Sequence, residues 1–452
     1  GDEEDPLSRG YVCPKAVALR DTWEDPNRLR APLVRNGGGW RECSWDEAIE
    51  TAAAGIHEVQ RHHGKDAVAV YAGNPSVHNL PALLANPPFI RMLGTKVRFS
   101  ASSADQFPRM LASYLVYGGQ FSIPVADVDH TDYFLIIGAN PVVSNGSLMT
   151  APGMRRRLRA IRDRGGKVVV VDPRRSETAQ VASEHVFLRP GTDALFLLSM
   201  LEALFAGGLV DSGAAAQQAT GIEELRAVAL EFPAERVAPV TGVEAATVRR
   251  LAREFTGAPT AACYARIGTC VQPYGTLVNA LVDAVNVLAG RLDRRGGMMF
   301  TTPASGGVPP GHYGRWRSRV RGIPEFGGEI PVATMIEEMT TPGPGQVRGL
   351  VTMAGNPVLS TPNGRRLDEA LSGLDFMVSV DPALNETTRH ARVILPPRHS
   401  LENDQFSLVF QRLSVRNTAK FCPPVFQPEP DELSEWEILG RLATALAALR
   451  QA

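Results

Sequence analysis

Five short blocks of nearly unbroken apolar residues punctuate the chain, and each stops at a turn. Ala67–Tyr71 ends at Gly73-Asn74-Pro75, Tyr133–Ile137 at Gly138-Ala139-Asn140-Pro141, and Gly349–Met353 at Ala354-Gly355-Asn356-Pro357. Lys167–Val171 and Phe376–Val380 run instead into Asp172-Pro173 and Asp381-Pro382. Apolar runs of this length without alternation read as strands buried on both faces, as in a parallel sheet covered by helices. Between them the period lengthens to that of a helix. Ser44-Trp45-Asp46-Glu47 has the residues of a capping box and opens an amphipathic stretch to Gln60. Helices are also predicted over 194–207, 221–231, 243–255, 275–288 and 435–449, with a further strand over 261–267. The alternation predicts an α/β protein.

Two segments share one grammar: strand, Asn-Pro turn, helix, strand, Asp-Pro turn. From Asn140 to Asp172 is 32 positions and from Asn356 to Asp381 is 25, each the size of one β-α-β unit. The pattern reads as an internal duplication. Parallel sheets bind ligands beyond the carboxyl ends of their strands, where turns and helix N-termini present N–H groups to phosphates. Two related loop sets, near residues 140 and 356, therefore predict two nucleotide-like ends of one bulky ligand. The plainer reading is that Asn-Pro and Asp-Pro merely stop strands.

Composition narrows this picture. A chain of 452 residues, 44% hydrophobic and 21% charged, is globular and multidomain rather than disordered. A net charge of -1 gives no general field for nucleic acid or anionic lipid, so phosphate binding has to be local. The apolar run Ala194–Val210 contains Ser199 and Glu202 and reads as a buried helix rather than a membrane span. No secretion signal opens the chain, which favours the cytoplasm, although it begins Gly-Asp-Glu-Glu-Asp without Met, as a processed or partial chain does. The five cysteines, Cys13, Cys43, Cys263, Cys270 and Cys422, include no C-x-x-C pair and no complete metal site.

Tyr11-Val12-Cys13-Pro14-Lys15-Ala16, Asp25-Pro26-Asn27-Arg28-Leu29 and Trp40-Arg41-Glu42-Cys43-Ser44-Trp45-Asp46-Glu47, together with the paired turns, resemble the molybdopterin-guanine-dinucleotide oxidoreductases. These form the dimethyl-sulfoxide-reductase superfamily, which includes formate dehydrogenases and nitrate reductases. The resemblance runs along almost the entire chain. It implies Rossmann-like parallel sheets in pseudo-duplicated halves around a central cofactor crevice. It also implies a remnant iron–sulfur domain over 1–45, a discontinuous α/β domain over 46–130 plus 325–450, and a Rossmann-like dinucleotide-binding domain over 131–324. Members normally carry a further C-terminal domain, so this chain looks like the first two thirds of one.

The implied cofactor is molybdenum, with tungsten second, in bis-molybdopterin guanine dinucleotide. Lys15, Gly138, Asn140, Pro141, Asn145, Asp172, Pro173, Arg174, Gly191 and Asp193 would serve one dinucleotide and Gly355, Asn356, Pro357 and Asn385 the other. Physically, Gly138 and Gly191 admit a ligand close to the backbone, Arg174 or Arg175 can neutralise phosphate, and Asp172 or Asp193 can accept from guanine or ribose. Arg175 as a surface charge and Asp193 as a helix cap are the bland alternatives.

In that family the Cys of Cys-Pro-Lys is the last ligand of a [4Fe-4S] cluster and the Lys bridges cluster and pterin, which would be Cys13 and Lys15 here. The other three cluster cysteines are absent, so the chain is either truncated or lacks the cluster. The loop expected to ligate molybdenum reads Phe99–Ser113 without a Cys. Asp105 is the candidate ligand, with Ser102 or Ser103 behind it and a helix cap as its alternative role. His78, Asp105 and Arg109 are the candidate catalytic residues, His78 as a proton carrier or a structural histidine.

The implied activity is a two-electron oxidation or reduction, or oxygen-atom transfer, on a small-molecule substrate, with electrons passing to an iron–sulfur or flavin subunit. No nucleic acid partner and no membrane span are expected. A scaffold that kept the fold and lost the metal is one competing reading. A thiamine-diphosphate lyase is another, although Gly-Asp-Gly is missing. The six arginines of 154–167 read as a solvated helix face, Asn286 as a helix polar face, and Arg315, Arg317, Arg319 and Arg321 as charge guarding a strand edge.

Overall fold

The computed structural model describes every residue except Ser212, Val308 and Ala452. In chain order the strands that matter are β1 Leu33–Asn36, β2 Gly39–Glu42, β3 Val68–Ala72, β4 Arg98–Ser100, β5 Tyr133–Ile137, β6 Lys167–Val171, β7 Glu184–Val186, β8 Ala261–Ala265, β9 Gly349–Met353, β10 Phe376–Val380 and β11 Val393–Leu395. The main helices are α1 Trp45–His63, α2 Leu80–Leu93, α3 Phe107–Tyr117, α4 Met154–Asp163, α5 Asp193–Ala206, α6 Ala245–Gly257, α7 Gly275–Leu288 and α8 Glu435–Gln451. All five apolar blocks are strands, and β5, β6, β9 and β10 have the predicted bounds.

The chain divides into two compact units, each discontinuous. The first comprises Gly1–Cys13, Asp105–Pro310 and Phe410–Thr418; the second comprises Pro14–Ala104, Gly311–Val409 and Ala419–Ala452. These differ from the expected boundaries. Residues 33–42 form no separate domain, because β1 and β2 add antiparallel to β11 and extend the sheet of the second unit. The crossing predicted within the Gly/Pro-rich 301–330 falls at 310/311.

The first unit is built on a four-stranded parallel sheet of order β7-β6-β5-β8. Its largest core lies under α5, α6 and α7, where Phe196, Leu197, Leu201, Leu251, Phe255, Val278 and Leu288 are buried. The apolar run read as a buried helix is α5, lined with buried residues from Phe196 to Leu204. Asn286 corrects one expectation. It is buried, accepts from Cys263 N at 2.9 Å and donates to Cys263 O at 2.9 Å, so it fastens α7 to the edge strand β8. The arginine run is not wholly solvated either: Arg157 is buried, and its guanidinium joins Arg416 on Asp129.

The second unit carries a seven-stranded sheet of order β2-β1-β11-β10-β9-β3-β4, parallel from β11 to β4. One face packs on α1, α2 and α8 through Ile56, Phe89, Leu93, Leu439 and Leu442, and the other holds Tyr71, Phe99, Met335, Leu367 and Ile394. Helix α1 begins where the capping residues predict, with the Ser44 hydroxyl accepting from Glu47 N at 3.2 Å. Among the described residues no helix is long and apolar enough to cross a membrane.

Candidate functional site

In the first unit the loops after β5, β6 and β8 share one rim. Strand β5 hands over at Gly138, whose N–H donates to Val171 O at 3.0 Å. Gly138 has φ +56°, and a Cβ there would meet Thr269 N at 3.0 Å, so this glycine serves the close approach of two loops rather than of a ligand. Gly191, at φ +79°, has open space before it. The Asn140 side chain is spent inside the loop. Its Nδ2 donates to Glu177 Oε2 at 2.7 Å, and its Oδ1 accepts from Thr178 N at 3.1 Å and Thr178 Oγ1 at 2.7 Å. The Thr178 hydroxyl in turn accepts from Val142 N at 3.1 Å, holding the one-turn helix Pro141–Ser144.

The second unit repeats this arrangement. Asn356 Nδ2 donates to Glu386 Oε2 at 2.7 Å, Thr387 Oγ1 donates to Asn356 Oδ1 at 2.7 Å, and Val358 N donates to Thr387 Oγ1 at 3.2 Å. The strand registers agree as well: Ile137 pairs with Val171 and Ala265, as Met353 pairs with Val380 and Ala72. Asp172 and Asp381 stand at equivalent strand ends, each accepting one turn N–H, from Arg174 at 2.7 Å and from Ala383 at 3.0 Å. Ala354, at the position of Gly138, keeps a left-handed φ of 50° despite its side chain. Gly355 fits because a Cβ there would strike the Tyr71 ring at 2.6 Å. Asn385 is spent like Asn140, its Oδ1 accepting from Thr387 N at 2.9 Å and Thr388 N at 3.0 Å.

Each rim is electrostatically primed. Burial pushes Asp172 and Asp193 above the usual carboxylate range, and it pushes Asp381 up to about 6. Arg174 reaches Glu177 at 3.3 Å on an exposed edge, and Arg175 is exposed beside it. Asp193 is buried as the first residue of α5, where its carboxylate faces Gln272.

Asp105 is half-buried and ends the short helix Ser102–Asp105, so it does not cap α3; Gln106 holds that position. Burial raises its pKa, and the positive charge of Arg266 opposes the rise. In the second unit, burial lowers the His78 pKa, and the nearby charge of Lys15 adds to that. Arg109 corrects an expectation. Its Nη1 and Nη2 donate to the Asp283 carboxylate at 3.0 and 2.7 Å, and Nη2 also to Ser113 at 2.7 Å, in a buried tie between α3 and α7. Held in that ion pair, it is a structural residue rather than a substrate contact. Cys13 is half-buried. Among the described residues no group of three or more His, Cys, Asp or Glu side chains is placed to hold a metal ion. The residues here therefore do not form a four-thiolate cluster site.

Some polar atoms near these strand ends are buried without a protein partner. On the first unit's loops these are Asn145 Oδ1, Gln272 Oε1, and Nε and Nη1 of Arg266, with His185 Nδ1 on the edge strand β7; in the second, Ser76 Oγ follows β3. Buried polar atoms are mostly paired in folded proteins, so atoms left without protein partners near the carboxyl ends of parallel strands suit a polar molecule or water there. His185 in β7, and Gln272 and Ser76 outside the strands, escape a sequence reading because nothing in their local pattern separates them from other polar residues.

A sequence profile for molybdopterin oxidoreductases matches residues 28–445. The chain belongs to the molybdopterin oxidoreductase family. Relatives in it include the assimilatory nitrate reductase catalytic subunit of Bacillus subtilis (strain 168), 24% identical over 98% of this chain and 64% of that protein. Formate dehydrogenase H of Escherichia coli (strain K12) is 24% identical over 97% of this chain and 63% of that protein. Acetylene hydratase from Pelobacter acetylenicus shares the fold, with a TM-score of 0.82 at 21% identity, covering 97% of this chain and 64% of that one. The chain thus spans a little under two thirds of the length of these relatives. Family membership and the α/β fold with parallel sheets are borne out, and the thiamine-diphosphate reading is set aside.

Proposed function

We propose that this chain is the catalytic part of a molybdenum oxidoreductase that holds its metal through two pterin-guanine dinucleotides. The observation that carries the reading is the repeated Asn–Glu–Thr loop of the two rims, accompanied by buried polar atoms without protein partners. Two copies of one loop suit the two chemically identical halves of such a ligand. When bound, the molybdenum–dithiolene centre supplies two-electron chemistry for oxygen-atom or hydride exchange with a small substrate.

The protein's part is to bind and orient. Asp172 and Asp193, with Asn145 Oδ1 and Gln272 Oε1, offer acceptors to guanine and ribose, and Asp381 does so at the second rim. Because their side chains are spent in the loops, Asn140, Asn356 and Asn385 act by fixing backbone shape. Arg174 and Arg175 meet phosphate. Asp105 would hold the metal through a carboxylate oxygen. His78, whose pKa is lowered by burial and by the charge of Lys15, would carry a proton at an imidazole nitrogen only in passing. An iron–sulfur or flavin partner takes or gives the electrons.

The test is metal and nucleotide analysis of the purified protein, wild type and Asp105→Ala. Molybdenum near one per chain with two guanine nucleotides, and a metal content at least tenfold lower in D105A with the nucleotide retained, is the expected result. Neither metal nor nucleotide in the wild type would establish the scaffold reading instead.

A further inference from the structure

The helix Ser102–Asp105 has only four residues. Closing a single turn fixes more dihedral angles than it gains hydrogen bonds, so a helix this short stands only where outside groups hold it. Two serines do the holding. Ser100, the last residue of β4, is buried, and its Oγ accepts from Ser102 N at 3.0 Å. Ser103 Oγ accepts from Val332 N at 2.8 Å.

A serine hydroxyl rotates to suit its neighbours unless one of them claims its proton. Here Ser100 Oγ donates to Glu329 Oε2, which leaves its lone pairs to Ser102 N. A bond to a carboxylate is of the strong, charge-assisted kind. Glu329 is itself firmly presented. Phe326 N donates to Glu329 O at 3.0 Å and Glu329 N to Phe326 O at 3.1 Å, closing a tight turn on Gly327 and Gly328. These two have φ of 62° and 93°, successive left-handed values that glycine adopts without strain. The buried side chain of Glu325 clamps the turn, its Oε1 accepting from Gly328 N at 2.8 Å. Ile330 N then donates to Arg98 O at 2.9 Å, laying residues 329–332 beside β4.

We propose that Glu329 is a positioning residue for Asp105, acting through Ser100 on the short helix that Asp105 ends. A metal-binding side chain is only as well placed as the bonds behind it are firm. The inference rests on Asp105 as the metal ligand for its catalytic meaning, but the hold of Glu329 on residues 102–105 does not.

The purified protein is compared as wild type, Glu329→Ala, Glu329→Gln, Ser100→Ala, Asp105→Ala and the double variant E329A/D105A. Hydrogen exchange is followed over residues 98–107, and molybdenum and guanine nucleotide are quantified in each preparation. The expected result is exchange over 102–105 about tenfold faster in E329A with the rest of the chain unchanged, and about tenfold less molybdenum at unchanged nucleotide content. E329Q, whose amide oxygen still accepts from Ser100, should recover most of both. E329A should take nothing further from D105A, because the two act at one point. Wild-type exchange in E329A overturns the proposal, as does faster exchange with full metal content, or a metal loss that adds to that of D105A. Metal lost in S100A while 102–105 exchanges as in wild type overturns it too, since that puts Ser100 itself on the metal. Should E329A not fold, Glu329→Asp, which withdraws the carboxylate by one methylene, takes its place. Faster exchange over 102–105 in E329A, where the wild type holds no molybdenum, would sustain the positioning while defeating the redox reading.

Discussion

Glu435 opens α8 with its carboxyl group buried. Asn79 Nδ2 donates to Oε1 at 2.7 Å, while Oε2 has no partner, and burial pushes the pKa up to about 7. A folded-state value above the unfolded one near 4.5 means the folded protein holds the extra proton. That contribution is complete below about pH 4.5 and fades as pH rises through 7, by on the order of 3 kcal/mol. Chemical denaturation at pH 5 and pH 8 should therefore show a smaller pH-dependent loss in Glu435→Gln than in wild type. Equal losses would mean the carboxyl is not the source. At the Arg109–Asp283 pair, Asp283→Ala strands a buried guanidinium and should cost about 3–5 kcal/mol, whereas Arg109→Met with Asp283→Leu together should cost far less. If R109M alone abolished turnover in a stable protein, the structural role given to Arg109 would be wrong.

The two Asn–Glu–Thr clasps carry the loops that frame each rim. Thr178→Val and Thr387→Val each remove an acceptor for a helix-turn N–H and a donor to Asn, and each should lower stability by about 1–3 kcal/mol. Nucleotide retention should fall in both, as read by guanine released from the purified variants. A variant with normal stability and full nucleotide content would show the clasps to be incidental. Strands and principal helices were legible in the sequence because unbroken apolar runs and capping residues act locally, as at Ser44 and Tyr133–Ile137. The duplication was legible for the same reason, since Asn-Pro and Asp-Pro recur at strand ends. What Asn140 and Asn356 do was not, because their partners lie about 30 to 40 positions away and a loop asparagine looks alike whether it binds a ligand or its own backbone. Arg109 misled similarly: only packing reveals that Asp283 meets it.

For the molecule as a whole, the repeat makes a stoichiometric claim. Full-length, cofactor-loaded protein should release two guanine nucleotides per molybdenum on acid hydrolysis, and one per metal would leave one of the rims without its assigned ligand. The unit boundaries escaped the sequence reading because 33–42 carries no mark of its allegiance until β1 finds β11 some 360 residues on. The same threading bears on biosynthesis. The sheet of the first unit lies wholly within 105–310 and can collapse while the ribosome is still translating the later residues. The sheet around β3 must wait for β9, β10 and β11, so the early apolar strand Val68–Ala72 stays without its central neighbour until residue 353 emerges. A nascent chain halted before then leaves that edge open to aggregation, and chaperone dependence of this protein should track the long interval between the two halves of its larger sheet.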